Sequence, residues 1–330
     1  MSSNHSTHNR SSPVDTQPES QFQQIFTIAS YVVALLGNGF LLLVFAKDRQ
    51  LLTPFNVFII NLLVGNVLLV VIEFPLMVLT LYSGQFENWL ATDLACTVWL
   101  YGYMVVLAGI VGSHTLIALS RVWAVLFPIN YRTRHTIPVA LLMCLASWLY
   151  IHILGGSGLL VDTLLYRRLI RPYRCQVNFG KQAAYFKAAK LVLFSLPELV
   201  MFVSFLIIGC NHLARWLKRR RQRSDRRILP QRLTTARRGA GVSHNRSKGL
   251  LVLALLTVSV AICWTPNILF FTIKTFVPLP ASEAFRVTQH VLVSCQMVLD
   301  PLLFVLGLRS LRNGVKKFLL LRHARIATVS

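Results

Sequence analysis

The chain has 330 residues, of which 34 are Lys or Arg and 11 are Asp or Glu, so its formal charge is +23, while 55% of it is hydrophobic. Charged residues make up only 14%, against roughly a quarter in soluble domains, which argues against a water-soluble enzyme. The basic excess does not favour nucleic acid as a partner, because 19 of the 34 basic residues lie in two short segments, 215–248 and 309–325.

Seven segments predict membrane-spanning helices, since each offers about 20 apolar residues, enough to cross roughly 30 Å of hydrocarbon. None of them alternates as a strand would. The predicted fold class is therefore an all-α membrane protein, a bundle of seven transmembrane helices. We call the segments spans one to seven: 25–46, 54–81, 94–126, 136–161, 184–210, 249–273 and 287–308.

The polar N-terminal segment 1–24 predicts a disordered extracellular region without a cleavable signal. It contains two glycosylation sequons, at Asn4 and Asn9. Lys and Arg concentrate in the loops after spans one, three and five, which predicts that this side is cytoplasmic and the N-terminus extracellular. The loop between spans four and five departs from this rule because it carries Arg167, Arg168 and two further arginines, which would attract an acidic ligand or serve only as solvated charges.

The seven-helix domain occupies residues 25–308 and includes the basic cytoplasmic loop 215–248. Part of this loop, around 218–227, is predicted to continue span five as a helix, and Pro230 and the glycines at 239–241 are predicted to break the rest of the loop. Residues 309–330 predict an amphipathic helix and a short tail, with basic residues between apolar ones at helical spacing. This helix is expected to lie on the inner membrane face and to contact lipid.

Residues inside the spans resemble those of the rhodopsin-like (class A) G-protein-coupled receptors, and the resemblance covers about 25–321. They are Asn38 in span one, Cys96 with Arg121 following 25 residues later, Trp148, Pro197, the run Cys263-Trp264-Thr265-Pro266, and Asp300-Pro301. The chain is thus similar to a divergent, orphan-type member of this family. The resemblance implies a plasma-membrane receptor, an extracellular ligand and a heterotrimeric G protein as partners, and no enzymatic activity.

The resemblance assigns roles to several positions. Cys96 and Cys175 also lie on the oxidising side while the other cysteines lie within spans, so a disulfide is expected between them. The predicted G-protein-coupling residues are Ser120, Arg121, Arg246 and Lys248, and the predicted switch residues are Pro197, Trp264, Pro266, Asp300, Pro301 and Phe304.

Several residues depart from the family pattern. Asn66 and Asp300 exchange the acid and the amide that family members usually carry at these two facing positions, and with Asn38 they predict a polar core. Sodium would be the cofactor of such a core, but Ile110 stands where sodium sites usually offer a hydroxyl. No other cofactor or metal site is predicted. Ser120 replaces the usual Asp before Arg121, and Phe304 replaces the usual Tyr of span seven.

The ligand remains open in the sequence. Tyr103 occupies the position at which amine receptors carry an Asp, which disfavours a biogenic amine and leaves a peptide or another small molecule, although Glu73 could replace that acid. The candidate ligand-binding residues are Glu73, Tyr103, Met104, Asn267, Ile268 and Phe271.

Two alternative functions stay open, a transporter or channel, and a receptor that binds ligand without coupling to a G protein. No catalytic set or phosphate-binding loop occurs at the spacing that an enzyme requires. His114 and His152 stand alone in the sequence, and buried packing is expected to explain both.

Overall fold

The computed structural model describes residues 18–83, 93–167, 175, 177–228, 240–277, 280 and 282–327. Seven helices of this part of the chain are long and apolar enough to span a membrane, as predicted. We call them helices one to seven: Pro18–Lys47, Pro54–Ser83, Asp93–Leu126, Ile137–Tyr166, 179–228, Ala240–Phe276 and Glu283–Gly307. Shorter helices are Arg49–Leu51, Pro128–Arg134 and the terminal helix Arg309–Ala327.

Some helix ends differ from the predicted ones. Helix one begins at Pro18, so the segment predicted to be disordered to residue 24 is helical in its last turns. Helix five continues to Ile228, in agreement with the prediction, but helix six already begins at Ala240 and runs through Gly241. The predicted break at 239–241 is therefore wrong after Gly239, because a glycine within a long helix costs only about 1 kcal/mol.

In the part of the chain that the structure describes, four wide π turns interrupt the helices in the half of the bundle that holds the Cys96–Cys175 disulfide. They are Gly102–Val106 in helix three, His152–Gly156 and Asp162–Tyr166 in helix four, and Leu191–Ser195 in helix five. We call this half the disulfide end, and the opposite one the Arg121 end. Turns of this kind are rare and are often found at functional sites.

Helix three packs closely against helix four through glycine. A Cβ atom at Gly109 would lie 2.4 Å from the Trp148 ring, so only glycine permits this approach. The Trp148 indole donates a hydrogen bond to Asn61 Oδ1 at 2.9 Å, and Asn61 in turn donates to Ser113 Oγ at 2.7 Å. Helices two, three and four are thus joined by one polar chain inside an apolar core.

The opposite face of helix four carries exposed leucine and isoleucine side chains at helical spacing, as a lipid-facing surface requires. Leu142, Leu145, Leu149 and Ile153 are each more than half exposed. Together with the seven apolar helices, this surface is that of a multi-pass membrane protein.

The terminal helix packs back on the bundle through its apolar side. Leu311 is fully buried, and the Phe318 ring lies 5.7 Å from the Phe40 ring. Lys317 forms an exposed ion pair with Asp48 at 3.4 Å. The apolar face of the helix is therefore partly used inside the protein.

Candidate functional site

A buried polar core surrounds Asp300 of helix seven, which is fully shielded from solvent. Gln296, one turn earlier, donates a hydrogen bond to Asp300 Oδ1 at 2.6 Å. Asn66 of helix two donates to Asp300 Oδ2 at 3.0 Å and to Asn38 Oδ1 of helix one, also at 3.0 Å. Three predicted core residues thus meet in one cluster, and the exchanged pair is in direct contact.

Asn38 fixes this core to the backbone of two helices. Its amide donates to Ala34 O at 2.7 Å within helix one and to Met297 O at 3.0 Å in helix seven. A carbonyl inside a helix that accepts a second donor ties the two helices together without loss of its own hydrogen bond. The core therefore joins helices one, two and seven.

His114 of helix three is a member of the core that the sequence did not reveal. Its Nε2 atom lies 3.4 Å from Asp300 Oδ2, and its side chain is only 5% exposed. Nε2 has no hydrogen-bond partner among the described residues, so this is a close polar contact and not a hydrogen bond. Packing alone describes His114 incompletely, because the ring lies beside an acid.

The core offers few free oxygens to a sodium ion. Each Asp300 oxygen already accepts from an amide nitrogen, and His114 Nε2 faces Oδ2. Ile110 is fully buried and brings no oxygen to the cluster. Asn66 Oδ1 and Gln296 Oε1 have no donor among the described residues, so these two amide oxygens and the remaining lone pairs of Asp300 are what the core offers to a cation.

The Arg121 guanidinium is held by an aromatic ring instead of an acid. Its Cζ atom lies 3.3 Å from the centroid of the Phe55 ring in helix two. Ser120, where the family pattern has an acid, donates its hydroxyl to Ile117 O at 2.8 Å and so faces its own helix. Arg246 and Lys248 lie in helix six, but their side chains fall outside the described part of the structure.

An aromatic cluster beside Arg121 was not predicted from the sequence either. The rings of Tyr131 and His135 stack at 4.3 Å, and Trp123 contacts both rings edge-on, at 5.5 Å and 5.6 Å. Burial, followed by the nearby positive charge of Arg121, lowers the pKa of His135 below its usual range. Trp123 lies in helix three, Tyr131 in the short helix that follows, and His135 directly after that helix. The turn at Phe127 brings these rings together.

The predicted switch residues lie between the two ends. Trp264 is 1% exposed, and its indole nitrogen has no hydrogen-bond partner among the described residues. Phe304 is fully buried, and a Cβ atom at Gly37 would lie 3.2 Å from the Pro301 ring.

The other two predicted switch residues are prolines of helices five and six. The carbonyl of Pro197 accepts a hydrogen bond from Thr115 of helix three at 3.5 Å. Pro266 lies within helix six, two residues after Trp264.

The predicted ligand-binding residues divide into two groups at the disulfide end. Glu73 of helix two is hydrogen-bonded to Tyr31 and interacts electrostatically with Tyr103. The Tyr103 ring stacks on Trp99 at 6.0 Å. Met104 packs against the apolar residues near the disulfide.

The second group of predicted ligand-binding residues lies on helix six and consists of Asn267, Ile268 and Phe271. Ile268 is buried, and the Phe271 ring lies beneath Lys190 of helix five.

The predicted disulfide joins Cys96 and Cys175, whose Cα atoms are 5.6 Å apart. Near it, Arg167 pairs with the fully buried Asp162 at 3.0 Å and donates to Thr97 at 2.8 Å. Its guanidinium is thus used inside the protein and not for attraction of a ligand. Asn4, Asn9 and the arginines at 168, 171 and 174 lie outside the described residues.

His152 is likewise not an isolated packing residue. One ring nitrogen lies 3.0 Å from the Tyr101 hydroxyl, and the other donates to Trp148 O at 2.8 Å. This pair links helices three and four near the π turns. It could have been suspected only from the position of Tyr101 opposite His152, which the sequence does not give.

Comparison with known proteins agrees with this arrangement. The family model of the 7 transmembrane receptor (rhodopsin family) matches residues 37–304, and the chain belongs to this family. It is similar to the muscarinic acetylcholine receptor M5 of Saimiri boliviensis boliviensis, with 24% identity over 58% of this chain and 37% of that one.

Other relatives carry different ligand names. The QRFP-like peptide receptor of Branchiostoma floridae is 23% identical over 73% of this chain and 61% of that receptor. The trace amine-associated receptor 13c of Danio rerio is 31% identical over 36% of this chain and 34% of that one. The chain spans little more than a third of the length of the muscarinic and trace amine relatives.

Proposed function

We propose that the protein is a plasma-membrane receptor that binds an extracellular ligand at its disulfide end and activates a heterotrimeric G protein at its Arg121 end. The observation that carries this proposal is the state of Arg121. Among the described residues the guanidinium has a ring as its partner and no carboxylate. A cation held by a ring is released at a cost of about 0.5–2 kcal/mol, which suits a group that must reach a partner protein.

The aromatic cluster supports this assignment of the Arg121 end. Because its pKa is lowered, His135 is neutral at cytoplasmic pH and adds no second charge beside Arg121. The Arg215 guanidinium of helix five also reaches this end, where it donates to Val125 O at 3.2 Å. We infer that Arg121, this cluster and the basic segments of helices five and six form the surface that meets the G protein.

A link between the two ends runs through helix six. Gln296 bridges the Asp300 core to Ser259 of helix six, with a nitrogen–oxygen distance of 3.4 Å, longer than its 2.6 Å bond to Asp300. Ser259 lies five residues before Trp264. We propose that a ligand contact near Trp264 moves helix six, breaks the long Gln296–Ser259 bond first and frees the helix end that faces Arg121.

The ligand is proposed at the level that the relatives permit. Muscarinic, peptide and trace amine receptors are all among them, so their names do not select one class. Glu73 remains the anchor for an amine, although Tyr31 already donates to it. The terminal helix and the basic segments are proposed to contact anionic lipid on the cytoplasmic side.

The test is ligand-free nucleotide exchange by purified G proteins of several families, with the full-length receptor in nanodiscs. We expect exchange above that of empty nanodiscs, and a decrease of about tenfold or more in Arg121→Gln. Arg49→Gln, which alters an exposed arginine in the first short loop, should leave the rate unchanged.

Three results would contradict the proposal. Exchange that never exceeds the empty nanodiscs would favour a receptor that does not couple, and solute flux in the same preparation reconstituted into vesicles would favour a transporter. Equal loss of exchange in Arg49→Gln and Arg121→Gln would show that charge alone, not the position of Arg121, matters.

A further inference from the structure

Two lysines of helices five and six lie close together at the disulfide end. The Lys190 Nζ atom is 4.1 Å from the centroid of the Phe271 ring, and Lys274 Nζ is 5.9 Å from that of Phe270. Lys274 is near enough to repel Lys190 electrostatically. Ionisable residues within membrane helices are costly and usually have a functional partner.

The described part of the chain offers neither lysine an acid. Its carboxylate ion pairs are those of Asp48, Asp162 and Asp300, all with other partners. The two remaining acids within the spans lie elsewhere: Glu73 is hydrogen-bonded to Tyr31, and Glu198 lies near Thr265, with its Oε1 atom lacking a hydrogen-bond partner among the described residues. Glu198 lies eight residues, or about 12 Å, along helix five from Lys190. Among the described side chains, two like charges on neighbouring helices thus have no acid beside them.

Polar and aromatic groups lie around the lysines, where helices five and six are in contact. Ser195 and Thr272 are hydrogen-bonded at 2.6 Å and hold helices five and six together beside Phe271. One turn along helix six, Asn267 has a buried amide oxygen with no hydrogen-bond donor among the described residues. Lysine cations, an aromatic face and a free acceptor fit an organic acid with an apolar body and a donor group.

We propose that Lys190 binds the carboxylate of an organic-acid ligand whose apolar part lies against Phe271, and that Lys274 adds a second positive charge that attracts the carboxylate. This inference rests on the proposed function, because it assigns the chemical class of the extracellular ligand. It gives the ligand an acid where an amine receptor would require an ammonium group. The sequence did not reveal this site, since Phe271 and Lys274 lie on a different helix from Lys190.

The probe for this site is 1-naphthoate, an aromatic carboxylate, with the uncharged 1-naphthamide as its matched control. The full-length receptor is melted in nanodiscs of phosphatidylcholine without any G protein. At about 100 times its Kd, naphthoate should raise Tm by roughly 5 °C, and naphthamide should raise it clearly less. In Lys190→Met the affinity for naphthoate should fall about tenfold or more, while Lys187→Met, at an exposed lysine one turn earlier, should retain it.

A second measurement needs no ligand. If the Lys190 charge is uncompensated, Lys190→Met should raise Tm of the empty receptor, because methionine keeps the contact with Phe271 and removes the charge. A lower Tm in empty Lys190→Met would overturn the proposal, since the Lys190 charge would then be compensated within the protein, by the Phe271 ring or by an acid. No shift with naphthoate, equal shifts with naphthamide, or an unchanged shift in Lys190→Met would overturn it as well.

The two tests fail independently. Binding is measured here without a G protein, so a receptor that never couples can still bind naphthoate through Lys190. In the same way, ligand-free nucleotide exchange can depend on Arg121 even if Lys190 binds nothing.

Discussion

Asp300 and Arg121 are two charges that the bundle shields in opposite ways. Asp300 is fully buried and contacts Gln296, Asn66 and His114 from three helices. Arg121 is half-buried and rests on one ring. A buried charge that loses such partners costs several kcal/mol, whereas a cation–π contact contributes about 0.5–2 kcal/mol. The comparison indicates that the Asp300 core holds its helices in fixed positions, whereas the Arg121 end can change conformation.

The largest effect is expected for removal of the Asp300 carboxylate. Asp300→Leu takes one acceptor from each of Gln296 and Asn66 and the nearby acid from His114, which should cost about 3–5 kcal/mol and lower Tm of the purified receptor by roughly 10 °C. The matched control is Leu303→Ile, a partly exposed apolar position one turn later in helix seven, which should change Tm little.

The double variant His114→Leu/Asp300→Leu shows whether the two groups are coupled. If they form a pair, the double variant should melt above the temperature expected from the sum of the two single losses. Additive losses would mean that His114 does not stabilise the Asp300 charge.

An intermediate effect is expected for Asn66→Asp, which puts a second carboxylate 3.0 Å from the first. The two cannot both be charged at this distance, and the amide donors to Asn38 and Asp300 are lost, at about 1–3 kcal/mol. Adding Asp300→Asn restores one acid and one amide, so thermal melting should show partial recovery. If the exchange variant is instead less stable than Asn66→Asp alone, His114 depends on an acid at position 300 and the pair is not interchangeable.

The smallest effect on stability, and the sharpest on signalling, is expected for Phe55→Leu. Without the ring, Arg121 is released more easily, and ligand-free nucleotide exchange should rise by up to about thirtyfold. Phe74→Leu changes the same residue type in the same helix, far from Arg121, and should not raise exchange at matched receptor amounts. A decrease in Phe55→Leu would mean that the ring holds Arg121 in the active position.

Much of the fold could be predicted from the sequence, because span length and apolar content are properties of single segments. The contact between Asn66 and Asp300 could also be expected, since it follows from positions that the family shares. His114, Phe55 and Lys190 could not, because each acquires its meaning from a residue on another helix. A lone histidine, phenylalanine or lysine in an apolar span carries no signal of its partner.

The same limit explains the helix boundaries. Pro230 and the glycines after it indicated a break, but the position at which helix six resumes depends on the packing of its distant part. Arg167 is a second example. Its sequence position predicts a free loop charge, but its guanidinium pairs with Asp162 of the preceding helix.

The π turn Leu191–Ser195 has a consequence for the direction of Lys190. Such a turn accommodates one residue more than a regular helix within the same rotation about the helix axis. Loss of one residue there would therefore restore regular winding while the side chains on either side keep their directions, and Lys190 would stay beside Phe271. Regular winding without a deletion would instead turn Lys190 by about 100° relative to the part of the helix beyond Ser195, so the extra residue is what sets the direction of the lysine.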